Sequence, residues 1–366
     1  MDQTGIKATF MRGGTSKGLF FRWEDVPEDR DAFLCAAIGA GDPYGRQLDG
    51  MGGGISSLSK AMMVRRSERD GVDVDYLFAQ ASIREARMDY AANCGNLSSA
   101  VGCFAVDQGL VQLPDGEGTV AMFNENTSKR IDCHLTVRGG RAAVSGDETI
   151  AGVHTTGSAI RLDFLDPGGA GTGTLLPTGE AMNRLVLGER GVEASIVDAA
   201  NPCVFVRGQD LGLTADNLPA AIAGNADVMD KLETLRRQAA ERAGMAPSKG
   251  VPKIALVSPP MDFATLSGET VAAEEVDVLV RMISMGAPHL AIPLTGAMCV
   301  AVAAKISGSV VYEAARARDP GTPLRIGTPS GVVPAMADVQ AGPHAASASV
   351  YRTARKLMEG TVYAAI

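Results

Sequence analysis

One short turn holds residue types that could both transfer a proton and bind an anion. Cys94 lies in the polar turn 93–96, and the apolar stretch 100–106 that follows predicts a helix capped by Asn96 or Ser98. A thiol at a helix N-terminus is stabilised as the thiolate by the helix dipole and by unpaired backbone N–H groups, which can also bind a carboxylate. By spacing alone, a small buried cysteine beside a turn is the more common case.

A glycine-rich segment near the start of the chain adds candidates for an anion-binding edge. Segment 11–18 follows the predicted strand 6–10 and contains Arg12 and Ser16 among three glycines. A glycine-rich loop between two strands lets the backbone approach a ligand closely, although a solvated hairpin fits the spacing equally well. The order of its residues is not that of a phosphate-binding Walker A loop.

A second glycine-rich segment, 50–60, adds a candidate base. Its consecutive glycines require unusual backbone angles or a close approach, and the serines after them, Ser56 and Ser57, predict a helix start with Lys60 one turn in. A lysine in such a place is ordinarily a solvated charge. Beside N–H donors in a cleft, its ammonium group would lose the proton more readily, and the amine could act as a base.

The rest of the chain predicts an α+β fold that positions these residues with short strands and few helices. The 43 glycines and the low aromatic content of 5% favour a turn-rich protein over a helical bundle. Predicted strands span residues 73–80, 82–88, 119–124, 130–138, 142–144, 159–165, 194–198, 204–206, 253–258, 278–284 and 324–331. Predicted helices span residues 27–40, 230–243 and 300–306, and the tail 347–366 predicts one more strand and a helix.

The two halves of the chain repeat one pattern. Each has several short strands followed by a glycine-containing turn that begins an Ala- and Val-rich helix, and the turn at Thr295 and Gly296 corresponds to the cysteine turn of the first half. The repeat predicts domains 1–185 and 186–349, with the tail 350–366 packing back on the first domain. A site in the cleft between the halves would then have a helix N-terminus from each.

Composition and charge exclude several classes of function. The net charge is −8 and no basic stripe is present, which argues against nucleic acid as a partner. The six cysteines form no CxxC pair and the four histidines are scattered, which argues against a structural zinc site. No apolar run approaches membrane-spanning length and the N-terminus has no signal-peptide pattern, so we expect a cytoplasmic protein with reduced thiols and no membrane contact.

Four motifs, in order over nearly the whole chain, resemble those of the PrpF-like isomerases of the diaminopimelate epimerase-like superfamily. They are segments 11–18, 52–60, 93–96 and 328–331. The resemblance implies an α+β fold of two similar domains, each a β-barrel-like sheet around a central helix, with the active site in the cleft between them. It also implies proton transfer without a cofactor by a lysine–cysteine pair, which maps to Lys60 and Cys94.

One departure from the superfamily pattern narrows the implied mechanism. Epimerases of the superfamily carry one cysteine in each half, and the second motif, Cys-Gly-Thr-Gly-Ala, falls on residues 293–297. Its thiol position is Pro293, which cannot transfer a proton, so a two-thiol racemase mechanism is disfavoured. Cys299 is expected in the helix core, and His289 is expected to have at most a secondary role.

The resemblance therefore predicts an isomerase that moves a C=C bond by a 1,3-allylic proton shift. Lys60 is expected to take a proton from the activated methylene and Cys94 to return one to the other allylic carbon, with the roles exchanged in reverse. Further residues are expected to bind the substrate carboxylates and the dienolate charge. They are Arg12, Ser16, Ser56, Ser57, Asn93, Gly95, Asn96, Thr295, Gly296, Ser330 and Gly331.

The expected ligand is an unsaturated tricarboxylate. We favour 4-oxalomesaconate, an intermediate of aromatic and lignin catabolism, over 2-methylaconitate and methylitaconate. A non-catalytic carboxylate-binding protein is the alternative from another class, and exchange of substrate C–H for deuterium separates the two. A cysteine-nucleophile enzyme would need a histidine base, and no histidine lies in a recognisable partner motif. We expect no metal and no cofactor, and a homodimer is one candidate assembly.

Overall fold

The computed structural model describes residues 3–90, 93–150, 152–214, 216–246, 250–284, 286–317, 319, 321–342 and 344–365. Its strands, in chain order, are β1 (Gln3–Gly13), β2 (Ser16–Arg22), β3 (Lys60–Arg66), β4 (Val74–Ala81), β5 (Met88–Asp89), β6 (Gly116–Asn124), β7 (Lys129–Arg138), β8 (Arg141–Ala142), β9 (Ile160–Leu165), β10 (Asn183–Leu187), β11 (Arg190–Ala199), β12 (Asn201–Arg207), β13 (Lys253–Ser258), β14 (Phe263–Ala264), β15 (Thr270–Val271), β16 (Val278–Ser284), β17 (Ala287–Pro288), β18 (Leu324–Thr328), β19 (Gly331–Gln340), β20 (His344–Arg352) and β21 (Ala354–Ala365). Its helices are α1 (Arg30–Ile38), α2 (Gly95–Asp107), α3 (Pro219–Ala223), α4 (Ala226–Arg242), α5 (Leu294–Ala303) and α6 (Val310–Ala314).

The chain forms two compact units. They are Met1–Asp163 with Tyr351–Ile366, and Phe164–Val350. This boundary falls earlier in the chain than the predicted boundary at residue 185, because the intervening segment is hydrogen-bonded to the end of β11. Asp198 N donates to Leu175 O at 2.9 Å, and Asp198 Oδ2 accepts from the N–H groups of Gly171 and Thr172 at 2.8 and 2.7 Å.

In the first unit, a sheet surrounds the apolar helix α2. Neighbouring strands follow the order β21, β1, β2, β3, β4, β6 and β7, with the pairs β2/β3 and β4/β6 parallel and the others antiparallel. Helix α2 contacts β1, β2, β3, β6, β7, β8 and β21, and its residues 97–106 are all buried. Because this helix is small or apolar on every side, it packs as the core of the unit.

The second unit repeats this architecture around helix α5. Its neighbouring strands follow the order β10, β11, β12, β13, β16, β18, β19 and β20, again with two parallel pairs, β12/β13 and β16/β18. Helix α5 contacts β11, β12 and β19, and residues 296–303 of it are buried. The predicted α+β fold of two similar units, each a sheet around a central helix, is therefore confirmed.

A second helix covers the opposite face of each sheet. In the first unit, Phe20 packs on Phe104 of α2 with ring centres 5.5 Å apart, while its neighbour Phe21 packs on Phe33 of α1 at 5.8 Å. Successive side chains of a strand point to opposite faces, so one strand contributes to both layers. Helix α4 has the corresponding place in the second unit. Among the helices that the structure describes, none combines the length and the apolarity needed to cross a lipid bilayer.

Several predicted elements are wrong. The predicted strand 82–88 is absent from the described residues except for its last residue, which begins β5. The tail forms the strands β20 and β21 instead of a strand and a helix, because β21 pairs along β1 from Gln3↔Ala365 to Gly13↔Ala354. Ile366, the last residue of that predicted element, lies outside the described residues.

Candidate active site

A small pocket in the first unit brings the two predicted catalytic side chains together. Its walls are formed by Lys60, Phe78, Gln80, Asp89, Asn93 and Cys94. Its volume is about 180 Å³. Clefts that bind drug-sized ligands have volumes of ~300–1,000 Å³, so the volume of this pocket suits a small metabolite. An amine and a thiol on one pocket are groups that a proton transfer between two carbons would use.

Lys60 begins the strand β3. The sequence had predicted instead that Lys60 lies one turn into a helix. The serines before it form only a 3-10 turn, Ser56–Leu58, and the chain then extends into β3. Lys60 is 8% exposed, and its Nζ donates a hydrogen bond of 2.6 Å to Gln80 Oε1. Nζ also lies 5.0 Å from the centre of the Phe78 ring, whose face stabilises an ammonium group.

Gln80 fixes the position of the Lys60 amine, and the sequence analysis did not identify it. It lies directly opposite Lys60 on β4. Its Nε2 donates to the carbonyl groups of Ser56, Ser59 and Ala81 at 3.2, 2.9 and 3.2 Å. Because these carbonyls occupy the amide NH₂ group, Oε1 must face the lysine. Among the described residues, Lys60 forms no ion pair, and the acceptor of its hydrogen bond is this neutral amide oxygen, while the Asp89 carboxylate lines the same pocket.

Replacing Gln80 by Met should lower kcat of the predicted isomerisation about 10-fold, because a hydrogen bond to a charged group contributes ~1.5–3 kcal/mol. KM should change little, since the amide NH₂ of Gln80 is occupied by protein carbonyls. Steady-state kinetics measures both constants. Gln108→Met is the matched control. Gln108 does not line the pocket, and its Nε2 donates to Glu359 Oε1 at 2.9 Å. An unchanged kcat in Gln80→Met would show that other groups hold the amine.

Cys94 is itself the N-cap of α2, so neither Asn96 nor Ser98 caps the helix as predicted. Its side chain makes no cap hydrogen bond. The half-buried Sγ instead donates to Ser16 Oγ at 3.7 Å. The N–H groups of the first helical turn follow directly after the thiol, and they have no acceptor within the helix. Cys94 therefore lies at the positive end of the α2 dipole, beside a hydroxyl group.

Asn93 and Ser98 fix the turn that holds the thiol. Ser98 Oγ lies 3.1 Å from Asn93 Oδ1 and 3.0 Å from Cys94 O, and it is 2.9 Å from Tyr76 OH. Burial raises the pKa of Tyr76, so its phenol stays protonated and completes this network at ordinary pH. The backbone of the cysteine turn is therefore held from the core side by side-chain hydrogen bonds.

The glycines of segment 11–18 let the β1–β2 hairpin approach the start of α2. A Cβ on Gly13 would lie 2.7 Å from Asn96 O, and one on Gly14 would lie 2.3 Å from Asn96 Oδ1. Gly14 also has a φ of +51°, which favours glycine. These glycines thus permit the close packing that brings Ser16 to the thiol of Cys94.

Gly14→Ala should destabilise the protein by about 1–3 kcal/mol, because the new methyl group adds a clash with Asn96 to the backbone cost of a positive φ. Gly139→Ala is the control: its φ is +60°, and no atom lies within 4 Å of the added Cβ. Chemical denaturation followed by circular dichroism measures both losses. Equal losses in the two variants would show that the contact with Asn96 is accommodated without cost.

Arg12 does not line the pocket. Its Nη1 donates to Gly14 O at 3.0 Å and to Thr353 O at 2.9 Å, which joins the hairpin to the tail. Burial lowers the pKa of Arg12, and the charge of Arg355 adds to this effect. The structure therefore shows a packing role for Arg12, and its binding role stays a prediction.

Arg352 is a cation near the start of α2 that the sequence analysis missed. Its Nε donates to Asn96 Oδ1 at 2.9 Å, and Asn96 Nδ2 donates to Thr15 Oγ1 at 3.2 Å. Burial lowers the pKa of Arg352 to about 10, with Glu148 opposing the shift. Asn96 and Arg352 are 256 positions apart in the chain, so no local pattern could have joined them.

The other predicted binding residues of the first unit differ in placement. Ser16 is buried against the Cys94 thiol, and Gly95 is the buried first residue of α2. Ser56 is exposed and Ser57 is half-buried, and neither is among the residues that line the pocket.

In the second unit, Thr295 and Gly296 belong to the first turn of α5, whose N-cap is Pro293. The helix thus begins at Leu294, earlier than its predicted start at residue 300. The first α-helical bond joins Ala297 N to Pro293 O at 2.9 Å, so the N–H groups of residues 295 and 296 have no acceptor within the helix.

Ser330 and Gly331 lie where β18 turns into β19. Ser330 Oγ donates to Leu290 O at 2.7 Å, and Gly331 has a φ of +110°.

Cys299 is fully buried in α5, where burial raises its pKa well above the usual value, so its predicted core position is confirmed. Among the residues that the structure describes, no three His, Cys, Asp or Glu side chains are grouped so as to hold a metal ion.

Comparison with known proteins gives consistent matches over the full length. The family model described as PrpF protein matches residues 3–365. A 3-methylitaconate isomerase of Eubacterium barkeri is 38% identical over 99% of this chain and 98% of its own length. A 2-methyl-aconitate isomerase of Shewanella oneidensis is 40% identical over 98% and 97%. A (4E)-oxalomesaconate Delta-isomerase of Novosphingobium sp. (strain KA1) is 38% identical over 97% and 96%.

Solved structures give the same picture of the fold. The crystal structure of a methylitaconate-delta-isomerase superimposes with a TM-score of 0.93 at 38% identity, covering 100% of this chain and 96% of that chain. A hydroxyproline epimerase from Agrobacterium vitis matches with a TM-score of 0.52 at 12% identity, covering 98% and 92%. This second likeness concerns the fold alone, and the predicted epimerase-like fold is confirmed.

Proposed function

We propose, since the chain belongs to the PrpF family and is an isomerase, that it moves a C=C bond within an unsaturated di- or tricarboxylate without a cofactor. The observation that supports this most is the presence of Lys60 and Cys94 on one pocket of the first unit. Reactant and product are isomers, so the reaction needs a base, an acid and donors for the intermediate charge, but no oxidant or reductant.

In the proposed first step, the neutral amine of Lys60 removes a proton from the allylic carbon. The electron pair of the broken C–H bond delocalises as a dienolate onto the conjugated carboxylate or ketone. One N–H of the amine donates to Gln80 Oε1, and the lone pair of the amine nitrogen is then available to the substrate. The Phe78 ring stabilises the ammonium group that results.

In the proposed second step, the thiol of Cys94 gives its proton to the other allylic carbon, and the C=C bond forms in its new position. The enzyme is left with an ammonium group and a thiolate. Transfer of a proton from Lys60 to Cys94, directly or through water, restores both groups. The reverse reaction uses the same groups with their roles exchanged.

The dienolate and the carboxylates need hydrogen-bond donors. We assign this role to the backbone N–H groups of Gly95 and Asn96 and to the Ser16 hydroxyl, which lies beside the reacting thiol. The remaining proposed binding residues are Arg12, Ser56, Ser57, Asn93, Thr295, Gly296, Ser330 and Gly331.

The substrate is the finer part of the proposal. Relatives named for methylitaconate, methylaconitate and oxalomesaconate have 38%, 40% and 38% identity to this chain, so identity does not rank the three. We keep 4-oxalomesaconate as the first candidate, with 2-methylaconitate and methylitaconate as the alternatives. A homodimer and a cytoplasmic location, where Cys94 would stay reduced, remain predictions.

An absorbance assay with purified protein tests the proposal. Moving a C=C bond changes conjugation, so each candidate should show an ultraviolet change if it is a substrate. The same reaction in D₂O, followed by NMR, should place deuterium on an allylic carbon. Tight binding of all three compounds with neither absorbance change nor exchange would instead identify a non-catalytic carboxylate-binding protein.

A further inference from the structure

Lys253 of the second unit has the position in β13 that Lys60 has in β3. Each lysine is the first residue of a strand that runs parallel to the second strand of a hairpin. Those hairpin strands begin at Ser16 and at Asn201. The residue after each lysine pairs with the residue three positions beyond that strand start, as Leu19↔Ala61 and Val204↔Ile254. The register therefore makes the two lysines equivalent.

The surroundings of the two lysines are also alike. Lys253 Nζ donates to Asn201 Oδ1 at 2.9 Å and to Gly250 O at 3.3 Å, as Lys60 Nζ donates to the amide oxygen of Gln80. Burial lowers the pKa of Lys253. Among the described residues, Lys253 forms no ion pair with a carboxylate. A partly buried ammonium group with only neutral partners is unfavourable unless an anion completes its coordination.

His289 supplies a second donor at the same end of the sheet. Pro288 pairs with Ile283 of β16, and Ile283 also pairs with Ile254, which follows Lys253. His289 Nδ1 accepts a hydrogen bond of 3.0 Å from Ala291 N, which leaves the ring proton of the neutral imidazole on Nε2. Burial lowers the pKa of His289, and the charge of Lys253 adds to this effect.

We propose that Lys253 and His289 form a carboxylate-binding site of the second unit. The choice of a carboxylate rests on the proposed function. A carboxylate accepts charge-assisted hydrogen bonds from an ammonium group and hydrogen bonds from an imidazole N–H, and it supplies the negative charge that Lys253 lacks. A di- or tricarboxylate of the proposed substrate class carries such a group.

The test uses propane-1,2,3-tricarboxylate, a saturated probe that cannot isomerise. Isothermal titration calorimetry on the full chain should show about 10-fold weaker binding in Lys253→Met, as expected for the loss of one charge-assisted hydrogen bond. Lys253→Arg should retain most of the affinity. His289→Asn keeps an acceptor for Ala291 N but removes the Nε2 donor, and it should weaken binding less. Lys305→Met, at an exposed lysine of the same unit, is the charge-matched control and should bind as wild type does.

The outcomes separate this inference from the proposed function. Wild-type affinity in Lys253→Met and His289→Asn, or no binding of the probe by the wild-type protein, overturns the inference, even if isomerisation is observed. Binding that depends on Lys253, in a protein that isomerises none of the three candidates, supports the inference and contradicts the proposed function. If Lys253→Met does not fold, as judged by circular dichroism, His289→Asn decides alone: weaker binding supports the site and unchanged binding overturns it.

Discussion

Replacing Lys60 by Met is expected to lower kcat of the isomerisation by about 10²–10⁴-fold, the range over which a positioned acid or base accelerates reactions. Met has nearly the length of the lysine stem and should pack against Phe78, so the pocket keeps its shape while the amine is lost. Without a base, the first C–H bond does not break. Exchange of the allylic hydrogen in D₂O should therefore fall as far as the production of isomer does, and NMR follows both in one experiment.

Two further lysine variants separate a base from a simple positive charge. Lys60→Arg keeps the charge, but a guanidinium group does not lose its proton near neutral pH, so it cannot act as the base. If Lys60 only bound a carboxylate, Lys60→Arg would retain most of the activity, and that result would contradict the proposed mechanism. Lys7→Met removes the same charge from an exposed site of the first unit and should leave kcat unchanged.

The sequence predicted the chemical groups of the site better than the elements that hold them. Lys60 was expected one turn into a helix, yet it begins β3, where a hydrogen bond to Gln80 on the neighbouring strand holds the amine. The serines before Lys60 are typical of a helix start, and they form a single 3-10 turn. Local propensity could not decide this, because the parallel pairing of β3 with β2 joins residues about 40 positions apart, and that pairing fixes the extended backbone.

Contacts between distant parts of the chain account for the groups that were missed. Gln80 has a signal in hindsight, since it is a polar residue that follows the apolar run 77–79 of β4, opposite a lysine. Arg352 has no such signal, because it lies at the end of β20 and reaches Asn96 across 256 positions of the chain. The two central helices, by contrast, were recognisable from their small and apolar residues, since a helix that is apolar all round must be buried.

Cys94→Ala should slow formation of the isomer strongly while exchange of the starting material continues. Lys60 can still form the dienolate and return a proton to the same carbon, so deuterium from D₂O enters the substrate although the thiol that protonates the other carbon is absent. The rate of isomer formation should fall about 10²–10⁴-fold, as for loss of a general acid. The fold should be retained, because the Cys94 side chain makes no cap hydrogen bond to α2 and only a long contact with Ser16.

The same variant tests the exchange of roles in the reverse reaction, since Cys94 is the proposed base for that direction. Starting from the isomer, Cys94→Ala should show neither exchange nor turnover, whereas Lys60→Met should still exchange the isomer. Cys35→Ala is the matched control: Cys35 is the other half-buried free thiol of the first unit, and burial raises its pKa, so its removal should change neither rate.

If Cys94→Ala lost exchange in both directions, Cys94 would be needed for the first C–H cleavage, and the division of roles between thiol and amine would be wrong. If it retained full turnover, a water molecule or another residue would have to be the acid, and Lys60 alone would remain of the proposed pair.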